Sequence, residues 1–214
     1  QSWMWKRGAG FDVVTYDGQG SAFDLYHSLG KTPEMIWFKS RSNATGWVVY
    51  HKGLNGGTNA EQYYLMLDTT AAEAAWGGAG QILSLSSTKV GLNSWSGLVS
   101  QSGRTYISML FASVEGISKC GYYTGTASDL TITLGFQPRF IIIKRTDGVY
   151  GWNVFDTYRN ISGGNNNDQQ LLLNSSAAWT GVNALNLTSD GMTLDGGNIH
   201  ASVNGGKYIY YAHA

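Results

Sequence analysis

Fourteen acidic side chains, four histidines, one cysteine and eight tryptophans are the groups in this 214-residue chain that could do chemistry. Two carboxylates flanking a glycosidic bond can hydrolyse it, one as acid and the other as base or nucleophile. Most of the aspartates here sit in turn-like sequence, where Asp hydrogen-bonds its own backbone, and no pair is marked out by position. His27, His51, His200 and His213 show no i,i+4 spacing on a helix, and neither H-E-x-x-H nor G-x-S-x-G occurs. Asn165-Asn-Asn-Asp168 offers oxygens for calcium but lacks the EF-hand spacing, and reads as a solvated loop. Gly77-Gly-Ala-Gly80 lacks the Lys-Ser/Thr ending of a phosphate loop. Cys120 stands alone, which excludes an internal disulfide and a cysteine zinc cluster. It reads as a small apolar strand residue. No catalytic residue, metal or cofactor is expected.

The tryptophans are the remaining candidates, because an indole face can stack on a sugar ring or a base. Trp47 and Trp152 fall at equivalent points of an internal repeat. Repetition favours a core role for them, since a repeated core must recur and a binding site need not. Trp76, Trp95 and Trp179 are less regular. They are the candidate ligand contacts, with Trp76 and Trp179 expected at the surface after a short helical turn.

The elements that position these residues come in two copies. Leu29-Gly30, Pro33, Ile36, Lys39, Trp47 and Val49 align with Leu134-Gly135, Pro138, Ile141, Lys144, Trp152 and Val154 at one constant shift. The only two prolines of the chain share a slot. Downstream, Leu65-Met-Leu-Asp-Thr-Thr-Ala-Ala72 matches Leu171-Leu-Leu-Asn-Ser-Ser-Ala-Ala178, and Thr105–Ala112 matches Lys207–Ala214. A period of this length exceeds the roughly 20 to 50 residues of solenoid repeats, and each copy is long enough for its own core. Residues 8–113 and 114–214 are therefore read as two units, with residues 1–7 before them. Ser2-Trp-Met-Trp5 resembles Ser108-Met-Leu-Phe111 when Phe11 is set over Ile117. Residues 1–7 then supply the closing strand of a preceding unit, or an ordinary N-terminal strand. The chain opens on Gln1 with no signal-peptide pattern, which points to a removed start or a piece of a longer chain.

Within each unit the pattern is of short strands. Phe11–Tyr16, Phe23–His27, Met35–Arg41, Trp47–His51, Gln62–Leu67, Ile82–Leu85, Lys89–Leu92 and Thr105–Ala112 are rich in β-branched and aromatic residues, with Gly, Asn and Asp between them. The continuous apolar run of Met35–Phe38 suits a strand covered on both faces. Asp68–Trp76 is the one helical candidate, with Thr70 and Glu73 at capping-box spacing. The fold expected is all-β: two tandem antiparallel β-sandwich modules. Helices for parallel crossovers are lacking.

Composition narrows the partners. Net charge is zero and charged residues make up 13%, against roughly 25% in ordinary domains. Steering toward nucleic acid is not expected. Apolar runs are a handful of residues, so membrane insertion by a helix is not expected either.

The run Leu134-Gly-Phe-Gln-Pro-Arg-Phe-Ile-Ile-Ile-Lys-Arg145, with Gly151-Trp152 and Asp156-Thr-Tyr-Arg159, resembles a repeated domain of unknown function in tail-fibre-like virion proteins of mostly marine tailed bacteriophages. Phe111–Lys119, Tyr123-Thr-Gly125 and Tyr208-Ile-Tyr210 extend the resemblance over nearly the whole chain. It implies a non-enzymatic structural or adhesive part of a virion appendage and carries over no catalytic residue. It also implies an extracellular, virion location, with other virion proteins, host-surface glycan and further copies of the chain as partners. The alternatives are a carbohydrate-binding module of a secreted or cell-surface protein and, third, a glycan hydrolase. Unit one departs from the pattern at Trp37-Phe38, where unit two has Ile142-Ile143, and at Gly53-Leu54, where it has Tyr158-Arg159.

Overall fold

The computed structural model describes residues 6–78, 80–94, 96–159, 161, 168–178 and 180–214. The chain divides into two compact units. Unit 1 is residues 1–66 and 74–114, and unit 2 is residues 67–73 and 115–214. The strand expected within residues 1–7 falls on residues 1–5, outside the described set.

Unit 1 holds β1 (Phe11–Asp17), β2 (Phe23–Tyr26), β3 (Met35–Ser40), β4 (Val48–His51), β5 (Tyr63–Met66), β6 (Ala74–Ala75), β7 (Ile82–Leu85), β8 (Lys89–Leu92) and β9 (Thr105–Phe111). They form a six-stranded sheet of order β1-β9-β3-β4-β5-β6 and a three-stranded sheet of order β2-β8-β7. Unit 2 holds β10 (Ser118–Thr124), β11 (Leu130–Thr133), β12 (Phe140–Arg145), β13 (Trp152–Asp156), β14 (Asp168–Leu172), β15 (Thr180–Val182), β16 (Leu185–Thr188), β17 (Gly191–Leu194) and β18 (Lys207–His213). Its sheets run β10-β18-β12-β13-β14-β15 and β11-β17-β16. The two orders are the same, strand for strand, and the pairings are antiparallel. The fold is all-β, and the internal repeat is a repeat of topology.

In unit 2 the core lies between the two sheets. Ile141 and Ile143 of β12, Phe155 of β13, and Tyr208, Tyr210 and Ala212 of β18 face Leu185, Met192 and Leu194 of the smaller sheet. The period-two spacing of 141/143 and of 208/210/212 is what one face of a strand requires. The intervening Ile142, Ile209 and Tyr211 are buried as well. Both faces of β12 and β18 are therefore covered, which is why their sequences are apolar without alternation. Met35, Ile36, Trp37 and Phe38 are buried along β3 in the same way.

Two repeated glycine positions have a backbone cause. Gly30 and Gly135 take φ of 71° and 86°, the left-handed region where a Cβ is costly. They turn the chain ahead of the buried Pro33 and Pro138. Gly18 and Gly125 sit where a Cβ would lie 2.0 Å from the Gln101 carbonyl oxygen and 2.2 Å from that of Val203.

Two expectations are corrected. Asp68–Trp76 forms no helix: residues 67–73 are a strap of turn and extended chain, followed by β6. The capping-box spacing misled because Ala71 N–H donates to Thr69 Oγ1, 3.3 Å away, a local turn that competes with a helix start. The alignment of Phe11 with Ile117 is one residue out. Phe11 pairs with Phe111, and it is Ser118 that pairs with His213. A one-residue slip would turn each inward side chain outward.

Candidate functional site

Each acid and amide side chain must be either satisfied by the fold or turned to an open surface. Asp168 opens β14 and is buried. Its Oδ2 accepts the backbone N–H groups of Ala184 and Leu185 at 2.9 and 3.0 Å. The carboxylate of the Asn165–Asp168 loop is thus spent on the entry to β16. Residues 162–167 of that loop are outside the described set. Asp156 ends β13 and accepts from the Arg159 N–H at 3.0 Å and from its guanidinium. At the equivalent position of unit 1, His51 Nδ1 accepts the Gly53 N–H at 3.0 Å. Acid and imidazole do the same job there: each closes the turn that follows its strand.

Asp12 is a third structural acid, buried at the start of β1. It accepts from Arg7 Nε at 2.6 Å, Val13 N at 2.8 Å and Ser28 N at 2.7 Å. Burial pushes its carboxyl up, and the hydrogen bonds from Ser28, Arg7 and Val13 outweigh that and hold it below the usual range. Glu34 behaves alike: burial opposes ionisation, but Lys52 at 2.7 Å and Ser113 lower its pKa overall.

A cleft among the described residues leaves polar groups facing outward. It has a volume of about 580 Å³ and lies in unit 2, lined by Asp129, Asn183, Asn186, Asp195 and Gly196–Asn198. The turn after β17 builds its floor, since Asp195 N–H donates to the Ala184 carbonyl at 2.9 Å. Asp129 Oδ1 accepts the Gly196 N–H at 3.0 Å, and Asn186 Nδ2 donates to Asp195 Oδ1 at 3.2 Å. Burial, then the negative charges of Asp129 and Asp168, raise the Asp195 pKa. The sequence marks out no acid pair, yet the fold sets Asp129 and Asp195 on one cleft. They lie far apart in sequence but at the same end of two paired strands, just before Leu130 of β11 and just after its partner Leu194 of β17, so only the register of β11 against β17 reveals them.

Beside it, Gln170 Nε2 meets Asn153 Oδ1 and lies 3.1 Å from His200 Nδ1, and Asn153 Nδ2 donates to the His200 carbonyl at 3.0 Å. Burial lowers the His200 pKa. Asn153 and Gln170 replace the Val48 and Tyr64 of unit 1, so this polar cluster belongs to unit 2 alone.

Of the tryptophans, Trp152 is 1% exposed at the start of β13. Trp47 is half-buried, with Lys39 Nζ 6.0 Å from its ring centre. Trp76 is not at the surface as expected. It is buried, and its ring stacks on Tyr64 with centres 4.2 Å apart and planes at 29°. Trp95 and Trp179 are outside the described residues. Pro33, Pro138, Ile36 and Ile141 are buried, as core positions require. Among the described residues, the exposed large aromatic rings are those of Tyr26, Tyr122 and Tyr158.

The repeat lysine proves unusual. Lys144 is completely buried, and its Nζ donates to the carbonyls of Arg145 and Tyr150 at 2.8 Å each and of Thr70 at 3.4 Å. Three acceptors satisfy the three N–H groups of an ammonium. Burial lowers its pKa to about 8.

A family model described as a domain of unknown function (DUF7483) matches residues 5–214. The chain belongs to this family. The DUF7483 match runs across both units, so the pair of sandwiches falls within one family model. No curated protein and no solved structure matches the chain. Among the described residues of this DUF7483 chain, no three His, Cys, Asp or Glu side chains cluster as metal ligands, and no helix is long and apolar enough to cross a membrane.

Proposed function

We propose that this chain is a non-enzymatic structural and adhesive module of a phage virion appendage such as a tail fibre. The observation that carries the reading is the repeated architecture. One nine-strand plan occurs twice, and the buried carboxylates of Asp12, Asp156 and Asp168 are spent on structural hydrogen bonds to the backbone. The resemblance of Leu134–Arg145 and its flanks to virion repeat domains points the same way. So does the uncharged polar composition. Its partners are then other virion proteins, host-surface glycan and further copies of itself, and its place is the virion. Many weak contacts presented together give avidity without a deep pocket. Mass spectrometry and immunogold labelling of purified virions test this. The chain should be present on an appendage in multiple copies, and its absence from intact virions refutes the reading.

A second reading, carbohydrate binding, has its own support in the cleft of Asp129, Asn183, Asn186 and Asp195. Amides and carboxylates at a shallow opening suit hydroxyl groups, which donate and accept together. Calorimetric titration with surface polysaccharide should show binding that Asn186→Ala and Asp195→Ala abolish. Release of reducing ends in the same mixture would move the assignment to the hydrolase.

A further inference from the structure

Unit 2 contains a strap, residues 67–73, that lies in sequence between β5 and β6. The Thr70 carbonyl accepts the Tyr150 N–H at 2.9 Å and Lys144 Nζ at 3.4 Å, and the Glu73 N–H donates to the Thr146 carbonyl at 2.8 Å. The strap keeps its shape by the Ala71 N–H to Thr69 Oγ1 bond. The repeat places a second strap in the chain, Asn174-Ser-Ser-Ala-Ala178. It is folded the same way, with Ala177 N–H donating to Ser175 Oγ at 3.1 Å. Residues 175–178 are all exposed; in the first strap Thr69–Ala71 are exposed too, and the difference lies at Ala72, the half-buried counterpart of Ala178.

The repeat also places a second seat. Lys39, Arg41, Thr45 and Trp47 are the counterparts of Lys144, Thr146, Tyr150 and Trp152. The latter seat is closed: Lys144, Thr146 and Trp152 are buried to within 1%. In unit 1, Lys39 and Trp47 are half-buried and Arg41 is exposed. The hydrogen bonds differ accordingly. The Thr45 N–H, whose counterpart reaches the strap, falls back on the Asn43 carbonyl at 3.0 Å. Lys39 Nζ donates to the Thr45 carbonyl, where Lys144 holds three acceptors.

One strap is exposed and one seat is open, and the chain itself shows how such a pair fits. We propose that the seat of Lys39, Arg41, Thr45 and Trp47 receives the strap 174–178 of another copy of this chain. The Ser176 carbonyl would accept from Lys39 Nζ and the Thr45 N–H. Strap and seat are different surfaces, so the contact is heterologous and propagates from copy to copy instead of closing on a dimer by two-fold symmetry. This inference stands apart from the virion and glycan readings, because it needs neither a host nor a ligand.

The test uses disulfide capture. Val149 and Ala71 flank the Tyr150–Thr70 bond, so their counterparts Ala44 and Ala177 should come together between copies. Both are exposed, and the native Cys120 is buried. Chains carrying Ala44→Cys and Ala177→Cys, mixed and oxidised, should give a mixed dimer in several-fold excess over the control mixture of Ala177→Cys with Tyr122→Cys. A chain carrying both substitutions should give a ladder of dimer, trimer and higher species. Adding Ala178→Arg, at an exposed strap position that leaves each unit's core untouched, should remove the ladder. Mixed dimer no more abundant than in the control overturns the proposal. So does a ladder that Ala178→Arg leaves intact, or a double-cysteine chain that stops at dimers.

Discussion

Lys144 should make the stability of unit 2 rise with pH in a window where most proteins gain nothing. Its pKa is about 8 in the fold against 10.5 when unburied. Between those values the unfolded chain holds a proton that the folded chain has released. Stability rises with pH wherever the unfolded state binds more protons. One pKa unit corresponds to about 1.4 kcal/mol; integrating the two titrations from pH 8 to pH 10 gives a gain of about 2 kcal/mol. Above pH 10 the sign reverses. Burial raises Tyr123 and Tyr208 above 10.0, so the unfolded chain then loses protons that the fold retains. A maximum near pH 10 is expected. Lys144→Met removes the titrating group and should flatten the rise between pH 8 and 10. Its stability at pH 7 is a poorer readout. The relieved charge burial, about 3 kcal/mol, is offset by the Arg145 and Tyr150 carbonyls that lose a donor, at about 1 to 3 kcal/mol each. Urea unfolding from pH 7 to 11, followed by hydrogen exchange of β12 amides, measures the slope in unit 2. A flat wild-type profile, or an equal slope in the Met variant, refutes the reasoning.

Trp152→Ala should cost about 3 to 5 kcal/mol as a fully buried aromatic truncation, and Trp47→Ala about half as much, since that ring is half-buried; equal losses in chemical denaturation would contradict the burial difference. Gly18→Ala and Gly125→Ala each press a Cβ onto a backbone oxygen about 2 Å away and should destabilise their own unit by about 3 kcal/mol, read as a drop in melting temperature. Asp168→Ala strands the Ala184 and Leu185 amides and should cost about 2 to 5 kcal/mol, with Asp168→Asn milder because one acceptor oxygen remains.

The strands could be read from residue type because sheet burial writes itself into the chain. Val, Ile, Tyr and Phe clusters bounded by Gly and Asn fall on β1, β3, β5, β8 and β9 to within a residue or two. Alignment of the repeat also found the prolines and the paired Leu-Gly turns, because a left-handed glycine before a buried proline leaves a recognisable pair. What escaped was set by partners distant in sequence. Nothing local distinguishes Asp129 from any turn aspartate until β11 lies against β17. Trp76 looked superficial because its neighbours are Ala and Gly, and the ring that covers it, Tyr64, lies across the β5–β6 pair. The strap misled for a related reason: Thr69-Thr70-Ala-Ala-Glu73 is compatible with one turn of helix, and its hydrogen bonds to Thr146 and Tyr150 decide against it.

The repeat itself separates shared duties from private ones. Where both copies keep a residue type, as at Gly30 and Gly135 or Pro33 and Pro138, the cause is backbone geometry common to both. Where the types differ but the bond survives, as at His51 and Asp156, the duty is closure of a turn and either acceptor suffices. Where neither type nor bond survives, one unit has acquired something of its own. The Asn153–Gln170–His200 cluster is of this last kind, standing where unit 1 has Val48 and Tyr64. Buried amides are costly unless satisfied, and unit 1 fills the same two positions with Val48 and Tyr64, without amides. Function beyond architecture is therefore to be sought first in unit 2, around that cluster and the Asp129–Asp195 cleft. Exchanging Asn153 and Gln170 for the Val and Tyr of unit 1 should leave unit 2 folded, checked by circular dichroism, and should weaken polysaccharide binding at the adjacent cleft in calorimetric titration; unchanged binding would separate the cluster from that site.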